Sequence, residues 1–448
     1  MKKTLDVLVA EIGSTTTTVD GFSFTDEKPV FVGQGVSPTT VLDGDVNIGL
    51  RNAIEDLKNK IGEFSYGELF ASSSAAGGLK MSVHGLVYDM TVKAAKEAAL
   101  GAGANIKMIT AGKLRKSDIE KLKDLKPNII LLAGGVDYGD RETALYNGEK
   151  IAEAKLDAPL IYAGNIENRD EISEIFQQYG KEIYIVDNVY PSIDSLNIEP
   201  TRKLIQAVFE KHIVSAPGMQ RVRELVTGNI IPTPGAVMEC AISLYEEIGD
   251  LMVVDIGGAT TDVHSVTEGS EEIQKISVNP EPLAKRTVEG DLGVYVNRYN
   301  LFEMCKDDIR GKFKNADKLI ENLNPIPKTD IEKDFVLYLA KTALKTSVKR
   351  HAGKLNSFFG PTGRSFYAEG KDLTKIKWII GTGGIFSRLQ KAEQLLKNIN
   401  DKSNGTELYP REVAKVLIDK EYIMAACGVL SKRYPKEALE LIKNSFGI

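Results

Sequence analysis

Three short segments combine residue types that handle phosphate. Glu11-Ile12-Gly13-Ser14-Thr15-Thr16 sets a carboxylate two residues before a glycine and follows it with hydroxyls. A glycine turn lets backbone amides approach a phosphate, and hydroxyls donate to its oxygens; the threonine run suits an ordinary β-hairpin equally well. Asp255-Ile256-Gly257-Gly258-Ala259-Thr260-Thr261-Asp262 repeats the plan at the end of an almost wholly apolar stretch. There a buried strand delivers a carboxylate that can hold Mg2+ or its waters, and the glycines expose amides; a tight turn capped by aspartate is the plainer alternative. Ile379-Ile380-Gly381-Thr382-Gly383-Gly384-Ile385 offers a turn against which a flat base or a phosphate can lie. Neither Gly-x-x-x-x-Gly-Lys-[Ser/Thr] nor Gly-x-Gly-x-x-Gly occurs, so the commonest phosphate and dinucleotide loops are excluded.

The elements that must position these residues follow from periodicity. Strands are expected at 7–12, 17–24 and 30–36, a helix at 46–61, and a strand at 69–72 running into small residues up to Gly78. Four short apolar runs, 106–110, 129–133, 160–163 and 183–186, alternate with helices near Ser117, Arg141, Arg169 and Thr201, which predicts a parallel, doubly wound unit. Beyond Pro232-Thr233-Pro234-Gly235 come a helix at 236–247, strands at 251–256 and onward to Val278, helices through 301–355, a strand at 378–380, and final helices from about Glu412. Segments 8–20 and 253–264 share one pattern, which points to an internal duplication.

Composition narrows the function classes. The 448 residues carry 57 basic and 62 acidic side chains, a formal net charge of −5, with 42% apolar and 27% charged residues. No overall field favours nucleic acid or an anionic membrane, and no apolar run nears the ~18–20 residues that span a bilayer. Asp6 and Glu11 interrupt the apolar stretch 5–10, so a strand rather than a signal peptide is expected there. Cys240, Cys305 and Cys427 are few and distant, and His84, His212, His264 and His351 lack metal-ligand spacing. Reduced thiols in a cytoplasm, without a zinc site, are the expectation.

Order and spacing then carry a resemblance. Segments 11–18, 234–245, 255–262, 381–384 and 422–430 resemble, in order, the phosphate 1, connect 1, phosphate 2, adenosine and connect 2 motifs of the actin, Hsp70 and sugar-kinase superfamily. The small residues of Ala236 to Ala241 and Ala425-Ala426-Cys427-Gly428 suit two helices crossing at a hinge. Within the superfamily, residues 10–16, 73–81, 131–137 and 286–293 resemble the accessory proteins of glutamate mutase and related adenosylcobalamin-dependent aminomutases, the MutL family, over nearly the whole chain.

The resemblance implies an α/β fold: two related actin-like (ribonuclease H-like) lobes around a nucleotide cleft, with a doubly wound unit inserted in the first. The implied divisions are 1–71 with 216–250, 72–215, and 251–448, whose final hinge helix returns to the first lobe. It further implies a slow ATPase that helps a cobalamin-dependent mutase or aminomutase shed damaged cofactor, acts without nucleic acid or membrane, and is compatible with a homodimer. ATP and Mg2+ would be the cofactors. Glu11, where many members have Asp, and Asp255 would hold Mg2+ through water. Asp262 would either orient hydrolytic water or brace its hairpin. Gly13, Ser14, Thr15, Thr16, Gly257, Gly258, Ala259, Thr260 and Thr261 would grip phosphates; Gly381, Gly383 and Gly384 would lie against the nucleoside. Lys345 either lines the nucleoside pocket or belongs to a solvated face with Lys341, Lys349, Arg350 and His351. Rival readings are a small-molecule kinase and an ATP-coupled hydrolase resembling hydantoinases. The strand ends Gly112, Gly134 to Asp137, Gly164-Asn165 and Asp187-Asn188 suit a small molecule or a docked protein. Asp262-Val263-His264 lacks the glycine of Asp-x-His-x-x-Gly, so no tight cobalamin site is expected.

Overall fold

The computed structural model describes residues 3–25, 28–40, 45–74, 79–212, 219–228, 230–360, 363–399, 405–411 and 414–448. The small residues 75–78, the expected division near 215 and the expected helix start at Glu412 lie outside them. The chain opens with strands β1 (Lys3–Ile12), β2 (Thr16–Thr25), β3 (Lys28–Pro38) and β4 (Phe64–Ser73). A second sheet follows, built from β5 (Leu79–Gly85), β6 (Ala104–Ala111), β7 (Ile129–Leu132), β8 (Leu160–Tyr162) and β9 (Ile183–Ile185). β10 (Ile230–Pro232) rejoins the first sheet. The remainder supplies β11 (Leu251–Ile256), β12 (Thr261–Val266), β13 (Ala284–Glu289), β14 (Lys354–Gly360), β15 (Gly363–Glu369), β16 (Trp378–Thr382) and β17 (Lys415–Ile418).

The first sheet runs β3-β2-β1-β4-β10 and the third β13-β12-β11-β16-β17. In both, the first three strands are antiparallel and the last two add in parallel. This is the two-lobed actin-like architecture. The inserted sheet, β6-β5-β7-β8-β9, is parallel throughout, as the alternation of short apolar runs with helices predicts.

Six strands escape the sequence pattern: β10, β14 and β15, and the three described next. β5 lies inside the inserted sheet between β6 and β7, yet Ser82 and His84 break its apolar run. Both are buried because His84 Nε2 meets Ser82 Oγ at 3.0 Å and Nδ1 meets Thr110 Oγ1 at 2.8 Å, so hydrogen bonds replace apolar contact. β13 follows a one-turn helix, Glu271–Gln274, where continuous strand signal had suggested an earlier third strand. β17 precedes the last helices, which begin at Met424.

Apolar side chains of the first sheet and of the inserted unit form one continuous core, which holds Leu5, Leu8 and Leu50 together with Leu79, Met81 and Leu131. A second core fills the other lobe, and a third joins the lobes around helices Thr233–Ile248 and Met424–Leu430. Those two helices cross without side chains between them: a Cβ on Gly428 would lie 1.8 Å from the Ala236 carbonyl oxygen. The hinge expected from small residues is therefore a backbone-to-backbone contact. Among the described residues no helix is long and apolar enough to cross a membrane. All three cysteines are free, with Cys240 and Cys427 buried on the hinge helices.

Candidate functional site

The two duplicated hairpins face each other. β1–β2 pairs Glu11 with Thr18 and closes with Gly13 N–H donating to Thr16 O at 3.0 Å; β11–β12 pairs Asp255 with Asp262 and closes with Gly257 N–H donating to Thr260 O at 2.9 Å. Their turns nearly touch, since a Cβ on Gly258 would lie 3.2 Å from Thr15 Cγ2. One cleft between the lobes is lined by Glu11, Gly13, Ser14, Thr15, Thr16, Asp255, Gly257, Gly258, Ala259, Thr260, Asp262 and Gly384.

Two predicted glycines work from behind that wall. Gly383 has φ +91°, and a Cβ there would sit 2.5 Å from Asp255 Oδ1, so only glycine lets β16 pass beneath the carboxylate. Gly381 faces the second core, against Phe386 and Leu396. Thr261 is buried too, its hydroxyl donating to Leu292 O at 2.8 Å. Lys345 is not brought to the cleft: it lines a separate groove with Lys312, Lys341 and Lys391. It belongs to helix Asp330–His351, whose capping box has Thr329 Oγ1 accepting from Glu332 N–H and Glu332 Oε2 accepting from Thr329 N–H. That box aims Lys333 and Val336 into the cleft, and Lys345 lies roughly 18 Å further along and about 120° around the axis from Lys333. His351 is buried, bonded to Thr287 and Ser265.

The cleft also contains residues that sequence reasoning passed over. Leu323, Pro325, Ile326, Val336, Ile385 and Leu389 form an apolar wall, with Arg388 and Tyr295 beside it. The signal available was Leu323-Asn324-Pro325-Ile326-Pro327, an apolar segment stiffened by two prolines just ahead of a capping box.

Buried acids dominate the electrostatics. Glu11 is 7% exposed; burial pushes its carboxyl up to about 7 despite a 3.1 Å hydrogen bond from Tyr422 Oη, with Asp419 adding to the rise. Burial also raises Asp255 well above the ordinary carboxylate range, reinforced by Asp262 and Glu11. Among the described residues neither Glu11 nor Asp255 forms an ion pair, and Asp255 accepts no hydrogen bond. Asp419 is likewise raised by burial but is held by Thr382 Oγ1 and by the N–H groups of Ile423 and Met424, which caps the second hinge helix. Asp262 is occupied: Oδ1 accepts from Arg286 Nη2 at 2.7 Å and Nε at 3.1 Å, and Oδ2 accepts from Thr260 Oγ1 at 3.0 Å. Both of its oxygens brace the hairpin, and Oδ2, with a single donor, keeps a second acceptor position.

Two carboxylates, buried Glu11 and half-buried Asp255, which lack an ion-pair partner among the described residues and lie between amide-rich turns, fit a hydrated divalent cation carried by a polyphosphate. Among the described residues no group of three or more His, Cys, Asp or Glu could hold a metal by itself. Such an ion would therefore take most of its ligands from phosphate and water.

At the inserted sheet, the strand-end polar groups satisfy one another. Asp137 Oδ1 accepts from Ile166 N–H and Asn188 Nδ2, and Asn165 Oδ1 accepts from Tyr138 N–H. The same loops leave Tyr138 77% and Ile193 71% exposed.

A family model described as MutL protein matches residues 7–446. Protein MutL of Clostridium tetanomorphum is 36% identical over 459 residues, covering 97% of this chain and 98% of that relative. Similar solved structures include a nucleotide-free diol dehydratase-reactivating factor, at 10% identity and TM-score 0.37 over 96% of this chain and all of that one. A glycerol dehydratase reactivase aligns at 11% identity and TM-score 0.29 over 95% of this chain and 99% of that one.

Proposed function

The chain belongs to the MutL protein family, and from that premise we propose that it is an ATP-dependent reactivating factor, which uses Mg-ATP to release damaged cobalamin from an adenosylcobalamin-dependent mutase or aminomutase. The observation that carries this reading is the cleft itself: facing glycine hairpins, a half-buried Asp255 without an ion-pair partner among the described residues, and a hinge at Gly428 and Ala236 that joins the two lobes.

Gly13, Ser14, Thr15 and Thr16 on one side, and Gly257, Gly258, Ala259 and Thr260 on the other, present amides and hydroxyls to the phosphates. The apolar wall from Leu323 to Leu389 receives the base, with Gly384 beside the ribose. Glu11 and Asp255 would hold Mg2+ through water; when bound, that ion neutralises charge on the polyphosphate. Asp262 keeps the second turn in position, and Tyr422 fixes the Glu11 carboxylate. ATP and ADP bind the lobe arrangements unequally, and the partner senses the difference. Tyr138 and Ile193, exposed on the inserted unit, fit a docked protein better than a small polar ligand.

The test uses glutamate mutase inactivated with hydroxocobalamin. Adding the protein, Mg-ATP and adenosylcobalamin should restore mutase turnover, ATP hydrolysis should rise with the inactive mutase, and Asp255→Asn should abolish both. Hydrolysis indifferent to the mutase, with no recovery, would overturn the reading.

A further inference from the structure

Asp262 is not braced by its own lobe alone. Arg286 on β13, 2% exposed, spends Nε and Nη2 on Asp262, while Nη1 donates to Leu100 O at 3.1 Å and Ala104 O at 3.2 Å. Those carbonyls end the helix Lys93–Gly101 and begin β6, both in the inserted unit. Four of the five guanidinium N–H donors thus join the phosphate hairpin to the insertion. A buried cation is costly unless it is fully partnered, and an apolar side chain would seal the same junction at less cost.

The rest of that helix is also held by charge. Lys93 pairs with Glu281, and Glu97 lies 3.8 Å from Lys371. The junction is under-satisfied. Both ring nitrogens of buried His264, cross-strand neighbour of Arg286, find no partner among the described residues, and neither do Glu97 Oε2 and Glu281 Oε2. Polar atoms buried together without a protein partner need either a bridging water or a second arrangement of the junction. A single π-helical turn, Tyr88–Val92, lies immediately ahead of the helix, a local geometry that permits a register shift.

We propose that Arg286 couples the nucleotide cleft to the inserted unit, so that helix Lys93–Gly101 changes position with hairpin 257–262. The proposal rests on ATP binding in the cleft and goes beyond it by naming the link to the partner-facing unit. Arg286 is a positioning residue, since it acts through Asp262 and never reaches the nucleotide.

The test is hydrogen–deuterium exchange of the full chain with and without Mg-AMPPNP, beside direct binding of a fluorescent ATP analogue. In the wild type, bound nucleotide should change exchange across residues 93–111 about threefold or more. Arg286→Lys keeps a cation for Asp262 but cannot reach both carbonyls with one ammonium. It should still bind the analogue while losing the nucleotide-dependent difference. A merely structural arginine predicts faster exchange with the difference intact, and that result would overturn the proposal. If Arg286→Lys does not fold, Arg286→Gln takes its place, because its shorter neutral amide cannot join the hairpin and both carbonyls; an undiminished difference there overturns the proposal as well. Failure to bind the analogue at all would sink the nucleotide reading, whereas mutase-stimulated hydrolysis with an unresponsive helix would sink the coupling alone.

Discussion

The sister hairpins share a backbone and differ in what their side chains reach. Thr18 in the first lobe and Asp262 in the second occupy equivalent registers, as do Asp20 and His264, and Gln34 and Arg286. Each lobe's third strand sends one side chain outward. Gln34 bonds Asp20 at 2.8 Å and reaches the carbonyls of Glu421 and Tyr422, while Arg286 bonds Asp262 and reaches the insertion. One hairpin is thus tied to the loop carrying Tyr422, the other to the inserted unit. The glycine hairpin is duplicated; its connections are not.

Four substitutions can break or sharpen that comparison. The largest effect is expected at Asp262→Val, which strands a buried arginine and should cost about 3–5 kcal/mol of unfolding free energy in denaturant melts. A loss no greater than that of an exposed substitution would mean the tie to the insertion carries nothing. Asp255→Asn should lower ATP turnover by about 10²- to 10³-fold, and more than Glu11→Gln; equal losses would make the two carboxylates equivalent. Third comes pH. In protein free of metal and nucleotide, folded Glu11 keeps its proton up to about 7, whereas the unfolded chain loses it near the ordinary 4.5. Stability should therefore fall as pH rises between those values, by up to about 3 kcal/mol, and level off above. Glu11→Gln should flatten that slope, and a parallel curve would count against it. The smallest effect is at Thr18, whose buried hydroxyl has no partner among the described residues. Thr18→Val should be neutral or stabilising by about 1 kcal/mol.

The facing hairpins were legible because a carboxylate, a glycine and hydroxyls at fixed spacing after a strand form a rare local pattern. The apolar wall proposed for the base was not, because any apolar surface serves a flat base, and Leu323 to Ile326 look like ordinary loop residues. Lys345 shows the limit of charge patterning, since helical phase decides which lysine faces a cleft, and the capping box chose Lys333. β5 stayed hidden because its polar residues pair with each other inside the sheet. Arg286 sits in no local pattern that marks its role, because the carbonyls it reaches are more than 180 residues away in the chain.

The contact of Gly428 with Ala236 has a mechanical consequence. Backbone against backbone brings the two helix axes as close as they can come, so a rotation of one lobe against the other would move the chain least near that contact. Small rotations there are magnified with distance: on an arm of roughly 30 Å, the length of a 20-residue helix, about 10° moves the tip by about 5 Å. A methyl group at Gly428 would lift the axis and change the leverage at every point of the molecule at once.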